Sequence, residues 1–169
     1  MHALPTLISN VECSRFINCI ATVLAAKYKK RNSHMLAYLW VAIGGALGSV
    51  GRFWISGVVA EASTQRGSIF PWNTLVVNVT GSLIIGFFAA LTAPGTGRFA
   101  TPGVREFVMV GICGGYTTFS AFSLQTLNLL QDRQWGYATA NALLSFALCM
   151  VAVWLGYVLG AALNSTKGS

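Results

Sequence analysis

Gly111-Ile112-Cys113-Gly114-Gly115-Tyr116-Thr117-Thr118-Phe119-Ser120-Ala121-Phe122 lies inside an apolar segment, residues 104–130, that is long enough to cross a bilayer. Two adjacent glycines and two adjacent threonines stand where an ordinary spanning helix carries Leu or Val. Gly costs about 1 kcal/mol relative to Ala in a helix interior, and neighbouring β-branched threonines add a smaller penalty. One reading is a Gly-rich helix packed closely on a neighbour. The other is a helix that unwinds at mid-membrane and presents backbone carbonyls, as transport proteins do where they hold ions. Such backbone survives at that depth only where protein or a water-filled cavity satisfies it. The residue types favour the break.

Working outward, three further spans appear. The first covers residues 36–60, where Gly44, Gly48 and Arg52 recur every four positions on one helical face. Gly44 and Gly48 form a small-xxx-small packing signal. An arginine at the bilayer centre costs about 2.5–3.5 kcal/mol, so Arg52 needs a partner, an aqueous vestibule or a snorkelling position at the span's end. A polar loop follows, ending near Pro71. The second span, residues 72–91, carries Thr74, Asn78, Ser82 and Gly86 as a small and polar stripe. Asn78 faces protein or water, either as interhelical glue or as a pathway lining. Residues 92–102 read as a loop. In the third span Phe119 and Phe122, three apart, share a face. They are core packing, or ring edges whose positive rim meets an anion. The turn 131–134 leads to a fourth span, residues 135–163, with a second stripe of Asn141, Ser145 and Cys149 and a Gly156-xxx-Gly160 packing motif.

Composition agrees with a membrane protein: 54% of the 169 residues are hydrophobic and 9% charged, against about 25% charged in a soluble domain. The formal net charge of +7 does not point to nucleic acid, because Arg15, Lys27, Lys29, Lys30 and Arg31 all precede residue 32. That cluster reads as a cytoplasmic topology signal or a lipid-headgroup contact. Residues 1–34 form a basic extension whose apolar run is too short to span. The favoured reading is that translation begins at Met35. The four cysteines show no CxxC or zinc-type spacing, and the spans contain no histidine. The acids Glu12, Glu61, Glu106 and Asp132 sit in or beside loops or in the extension. Without a buried carboxylate, proton-coupled transport and intramembrane hydrolysis both lack their chemistry, and a passive pathway of neutral groups fits better.

Three motifs together resemble the CrcB/Fluc fluoride channel family: Gly44-Gly45-Ala46-Leu47-Gly48-Ser49 with Arg52, Asn73-Thr74-Leu75-Val76-Val77-Asn78 with Gly81, and the 111–122 stretch. The resemblance covers residues 35–163. It implies an all-α integral membrane protein with four transmembrane helices per subunit and a third helix broken at mid-membrane, assembled as an antiparallel, dual-topology homodimer. It implies passive efflux of fluoride across the bacterial inner membrane, with no enzymatic activity, and a structural sodium ion at the dimer centre. Carried over, Gly114 and Thr117 offer the sodium-binding carbonyls, Phe119 and Phe122 the aromatic box, Asn78 and Ser120 polar groups along the pathway, and Arg52 a vestibule charge. Ala121 and Val153, where the family often has threonine, and Cys149, often serine, depart from its pattern. Weakly biased loop charges also suit dual topology. The alternative is a small multidrug-type four-helix dual-topology transporter, which needs a membrane-embedded Glu on the first helix; Glu61 lies too late.

Overall fold

The computed structural model describes the backbone of residues 4–93 and 101–165 and the side chains of residues 35–93 and 101–165. The basic side chains of the extension and most of the loop at 92–102 lie outside the described residues. The chain divides into two units, Met1–Tyr38 and Leu39–Ser169, and the candidate site residues all belong to the second. The elements, in order, are α1 (Leu4–Gln65), α2 (Trp72–Leu91), α3 (Pro102–Arg105), a π-helical segment (Glu106–Cys113), α4 (Gly114–Tyr116), α5 (Phe119–Gln131) and α6 (Trp135–Ser165). Four stretches are long and apolar enough to cross a membrane: Met35–Gln65, Trp72–Leu91, Pro102–Gln131 and Trp135–Ser165.

The second span has the bounds its sequence suggests, and the first runs five residues further. Residues 61–65 are polar but helix-compatible, and the Ser63 and Thr64 hydroxyls donate to the Val59 and Ala60 carbonyls at 2.6 and 2.9 Å. Polarity therefore marks where the apolar part ends and not where the helix ends. The third span is assembled from four pieces. Its π-helical turns have no counterpart in the sequence reading, because nothing in Glu-Phe-Val-Met-Val-Gly-Ile-Cys distinguishes i→i+5 from i→i+4 bonding. Such turns are rare and recur at functional sites.

Small residues set the helix seams. In α1, a Cβ on Gly48 would lie 2.9 Å from the Tyr116 nitrogen, so the first span approaches the third backbone to backbone. Between α2 and α6, a Cβ on Gly156 would lie 2.9 Å from the Phe87 nitrogen and 3.0 Å from the Leu83 carbonyl carbon. Both small-xxx-small motifs thus bring backbones together where a larger side chain would part them. The turn after α5 closes as a Schellman motif. Arg133 and Gln134 donate their N–H groups to the Leu130 and Leu129 carbonyls at 3.1 and 2.8 Å, with Arg133 at φ 57°. Much apolar surface remains outside, including Phe53, Phe146 and Trp154, as a membrane-facing surface requires.

Candidate functional site

The helical backbone of the third span is interrupted at Thr117 (φ −77°, ψ 154°) and Thr118 (φ −148°, ψ 110°), both extended. Gly114 keeps helical angles (φ −65°, ψ −37°). The glycines and threonines therefore divide the two alternatives between them. Gly115 is a packing residue, since a Cβ there would lie 2.5 Å from the Gly45 carbonyl oxygen. The threonines carry the change of backbone direction.

The hydrogen bonds explain which carbonyls the interruption releases. In a continuous helix the Thr118 N–H would donate to the Gly114 carbonyl, and the Ala121 N–H to the Thr117 carbonyl. Here the Thr118 N–H donates to Asn78 Oδ1 at 2.8 Å. The Ala121 N–H donates to Thr118 Oγ1 at 3.2 Å, which makes Thr118 the N-cap of α5. Asn78 Nδ2 donates in turn to the Thr118 carbonyl at 3.2 Å. The carbonyls of residues 114–117 all lose their i+4 donors at such a break; those of Gly114 and Thr117, singled out above, are among them, and Ser49 Oγ donates to the Gly115 carbonyl at 3.4 Å. Backbone oxygens in that condition suit a hard cation. Among the described residues no group of three or more His, Cys, Asp or Glu side chains could hold a metal ion.

The interruption opens onto a cavity of about 550 Å³ between α2, the third span and α6. Asn78, Gly114, Thr117, Phe119 and Phe122 all line it. The two rings meet at 5.4 Å between centroids, tilted by 44°, and Phe119 is 79% exposed in the single chain. No Asp, Glu, His, Lys or Arg lines this cavity. Ser120 and Arg52 are not among its lining residues. Ser120 instead exchanges a hydrogen bond with Thr118 Oγ1 at 3.1 Å, and Arg52 is half-buried on α1.

The polar stripes divide by height. On α2, Asn78 and Ser82 reach the cavity, whereas Gly86 packs against the Val153 backbone. On α6, Ser145 and Cys149 line the cavity, while buried Asn141 donates to Thr126 Oγ1 at 2.9 Å and accepts from Ser145 at 3.4 Å. Two groups escaped the sequence reading. Tyr116 shares a hydrogen bond with Thr80 at 2.9 Å and fixes α4 to α2; a hydroxyl-bearing ring beside the threonine pair was its only signal. Gln125 Oε1 is buried without a partner, beside a second cavity of about 390 Å³ that also includes Asn73, Asn128 and Asp132.

Residues 39–157 match the family described as CrcB-like protein, Camphor Resistance (CrcB). The chain belongs to the CrcB family. A fluoride-specific ion channel FluC from Opitutus terrae is 59% identical over 135 residues, which cover 80% of this chain and 100% of that protein. Proteins of the same name from Methylocella silvestris and Rhodospirillum rubrum are 53% and 56% identical, covering 78% and 73% of this chain and 98% and 93% of their own. Every candidate residue named above, from Arg52 to Phe122, falls within the region matched to the CrcB family. With its four apolar spans, this CrcB chain is a multi-pass membrane protein.

Proposed function

We propose that this protein is a fluoride channel of the bacterial inner membrane, giving passive fluoride efflux and so lowering intracellular fluoride toxicity. It works as an antiparallel homodimer with a sodium ion held at its centre. The observation that carries the reading is the convergence, in a CrcB chain, of Asn78, Phe119 and Phe122 on one uncharged cavity beside two carbonyls whose helical donors have been diverted.

Fluoride is strongly hydrated, so a narrow route must offer donors that replace its water. Asn78 has two Nδ2 hydrogens, and its bond to Thr118 occupies one. The other serves an anion in the cavity. The edges of Phe119 and Phe122 carry the positive rim of the ring quadrupole and meet the same anion weakly, which suits release as well as entry. Ser120, one residue beyond Phe119, extends the polar route, and Arg52 supplies positive charge at a vestibule. With no Asp, Glu, His, Lys or Arg on the cavity wall, flux follows the electrochemical gradient of fluoride and performs no catalysis.

The Gly114 and Thr117 carbonyls fit a sodium ion, which takes oxygen ligands at broken helices. A two-fold axis through the third spans gives two carbonyls from each copy. No side-chain charge holds the ion, so it is structural and is not transported. The test is fluoride efflux from liposomes, with chloride as the control anion. Fluoride efflux without chloride efflux is expected. Efflux is expected to fall when sodium is exchanged for a bulky organic cation and to return when sodium is restored. Equal permeation of chloride would overturn the channel reading, and full activity through exhaustive exchange would overturn the sodium.

A further inference from the structure

Asn78 makes a pair of bonds that a pathway lining does not require. Its Oδ1 accepts from the Thr118 N–H at 2.8 Å and its Nδ2 donates to the Thr118 carbonyl at 3.2 Å. A carboxamide that meets both polar groups of one extended residue imitates a neighbouring β-strand. Its orientation is set by chemistry, because the N–H demands an acceptor and the carbonyl a donor. If the third span were continuous, the Thr118 N–H would return to the Gly114 carbonyl. An extended Thr118 without Asn78 would keep its carbonyl on the first bond of α5, as an N-cap does, and would leave its N–H unpaired, an arrangement a membrane protein avoids.

We propose that Asn78 is the positioning residue of the break. It holds Thr118 extended from α2 and thereby keeps the Gly114 carbonyl away from its helical donor. Thr118 completes the device on its own side, because its Oγ1 takes the Ala121 N–H and leaves the Thr117 carbonyl without one. One side chain thus couples the cation-binding carbonyls to the anion cavity that it also lines. The proposal rests on the reading of those carbonyls as sodium ligands, so its test carries one arm that involves no sodium.

Asn78→Ala removes both bonds. Asn78→Asp keeps the acceptor for the Thr118 N–H and loses the donor, and so serves if the alanine variant does not assemble. Ser82→Ala, one turn along α2 on the same cavity wall, removes a lining hydroxyl with no bond to Thr118. Two quantities are measured: the sodium concentration giving half-maximal fluoride efflux at fixed ionic strength, and hydrogen exchange of the backbone amides of residues 114–121. The half-point is expected to rise about tenfold in Asn78→Ala, the scale of one lost hydrogen bond to a group left buried. It should rise less in Asn78→Asp and stay unmoved in Ser82→Ala. Exchange at Thr118 is expected to quicken in Asn78→Ala. A lining residue alone would change maximal flux and leave both readouts where they were. Unchanged half-points in both Asn78 variants, with a sodium-dependent parent, would overturn the proposal. If the parent itself ignores sodium, the sodium reading fails and exchange decides: faster exchange at Thr118 upholds the clamp, and unchanged exchange removes it.

Discussion

Gly81→Ala adds one methyl group at the seam between α2 and the interruption. The new Cβ would press on Thr117 Cγ2, closer than any real contact, and would lie 3.0 Å from Tyr116 Cδ1. Neither neighbour is free to swing. Thr117 Oγ1 donates to the Cys113 carbonyl at 2.9 Å, and the buried Tyr116 ring is tethered through its hydroxyl to Thr80 at 2.9 Å. Rotating either one loses a hydrogen bond, about 0.5–1.5 kcal/mol net. Moving the 116–118 backbone instead is overpacking, about 1–3 kcal/mol. The two routes converge on about 1–3 kcal/mol, and the second also shifts the Thr117 carbonyl. Detergent-solubilised Gly81→Ala should melt several degrees below the parent and lose most of its fluoride efflux in liposomes. Gly57→Ala is the control: a Cβ there meets nothing within 4 Å, so the helix gains up to about 1 kcal/mol of propensity. A Gly81→Ala protein that melts and conducts like the parent would refute the account of this seam.

Replacing Phe119 or Phe122 with Ile keeps the bulk and removes the ring edge. Fluoride efflux should fall by at least about tenfold, the effect of losing about 1.4 kcal/mol, while the assembled species on size exclusion is unchanged; unchanged efflux in both would return the rings to core packing. Deleting residues 2–34, which precede the matched region beginning at residue 39, should leave assembly and fluoride resistance in cells intact, and loss of both would show that the extension belongs to the working protein. Arg133→Gly relieves a left-handed φ of 57° and should raise the melting temperature by the equivalent of about 1 kcal/mol; a drop would mean that the Arg133 side chain makes a contact worth more than its strain. Gln125→Leu removes a buried oxygen without a partner and should be neutral or stabilising, whereas a clear loss of thermal stability would show that this oxygen is satisfied in the assembled protein.

The spans were legible because bilayer thickness imposes a minimum apolar length, and 72–91 could be read to the residue because Pro71 and Thr92 bracket it. The site residues were legible as types: an asparagine in an apolar helix, two threonines after two glycines, and phenylalanines three apart. Their partners were not legible. Asn78 meets Thr118 forty residues away, and local periodicity cannot show that its carboxamide lies parallel to that backbone. Nor could spacing divide labour between Gly115, which admits Gly45, and Thr117–Thr118, which turn extended. The π-helical turns stayed hidden because i→i+4 and i→i+5 bonding place the same demands on side chains over one or two turns. Ser120 was expected on the pathway from the family resemblance, and in the single chain its hydroxyl meets Thr118 Oγ1.

One chain by itself leaves the site in a condition that a bilayer would not tolerate. Phe119 is 79% exposed, and lipid could cover it at no cost. Lipid could not cover the Gly114 and Thr117 carbonyls, whose helical donors have gone to Asn78 and Thr118, because a backbone oxygen facing hydrocarbon costs several kcal/mol. Water in an open cavity could solvate them, but a water-filled opening beside Phe119 would let any small anion pass. A second copy of the chain resolves both demands if its third span lies across the first. It buries the rings and narrows the cavity, and its own two carbonyls join these around one cation. In the proposed antiparallel dimer like residues would come together on the two-fold axis, so the same two residues would serve each copy and the proposed cation would lie where they meet. On that proposal the partner and the sodium answer one chemical demand, and a protein stripped of sodium should lose dimer stability together with fluoride conduction. Separate loss of either one, with the other intact, would break that link.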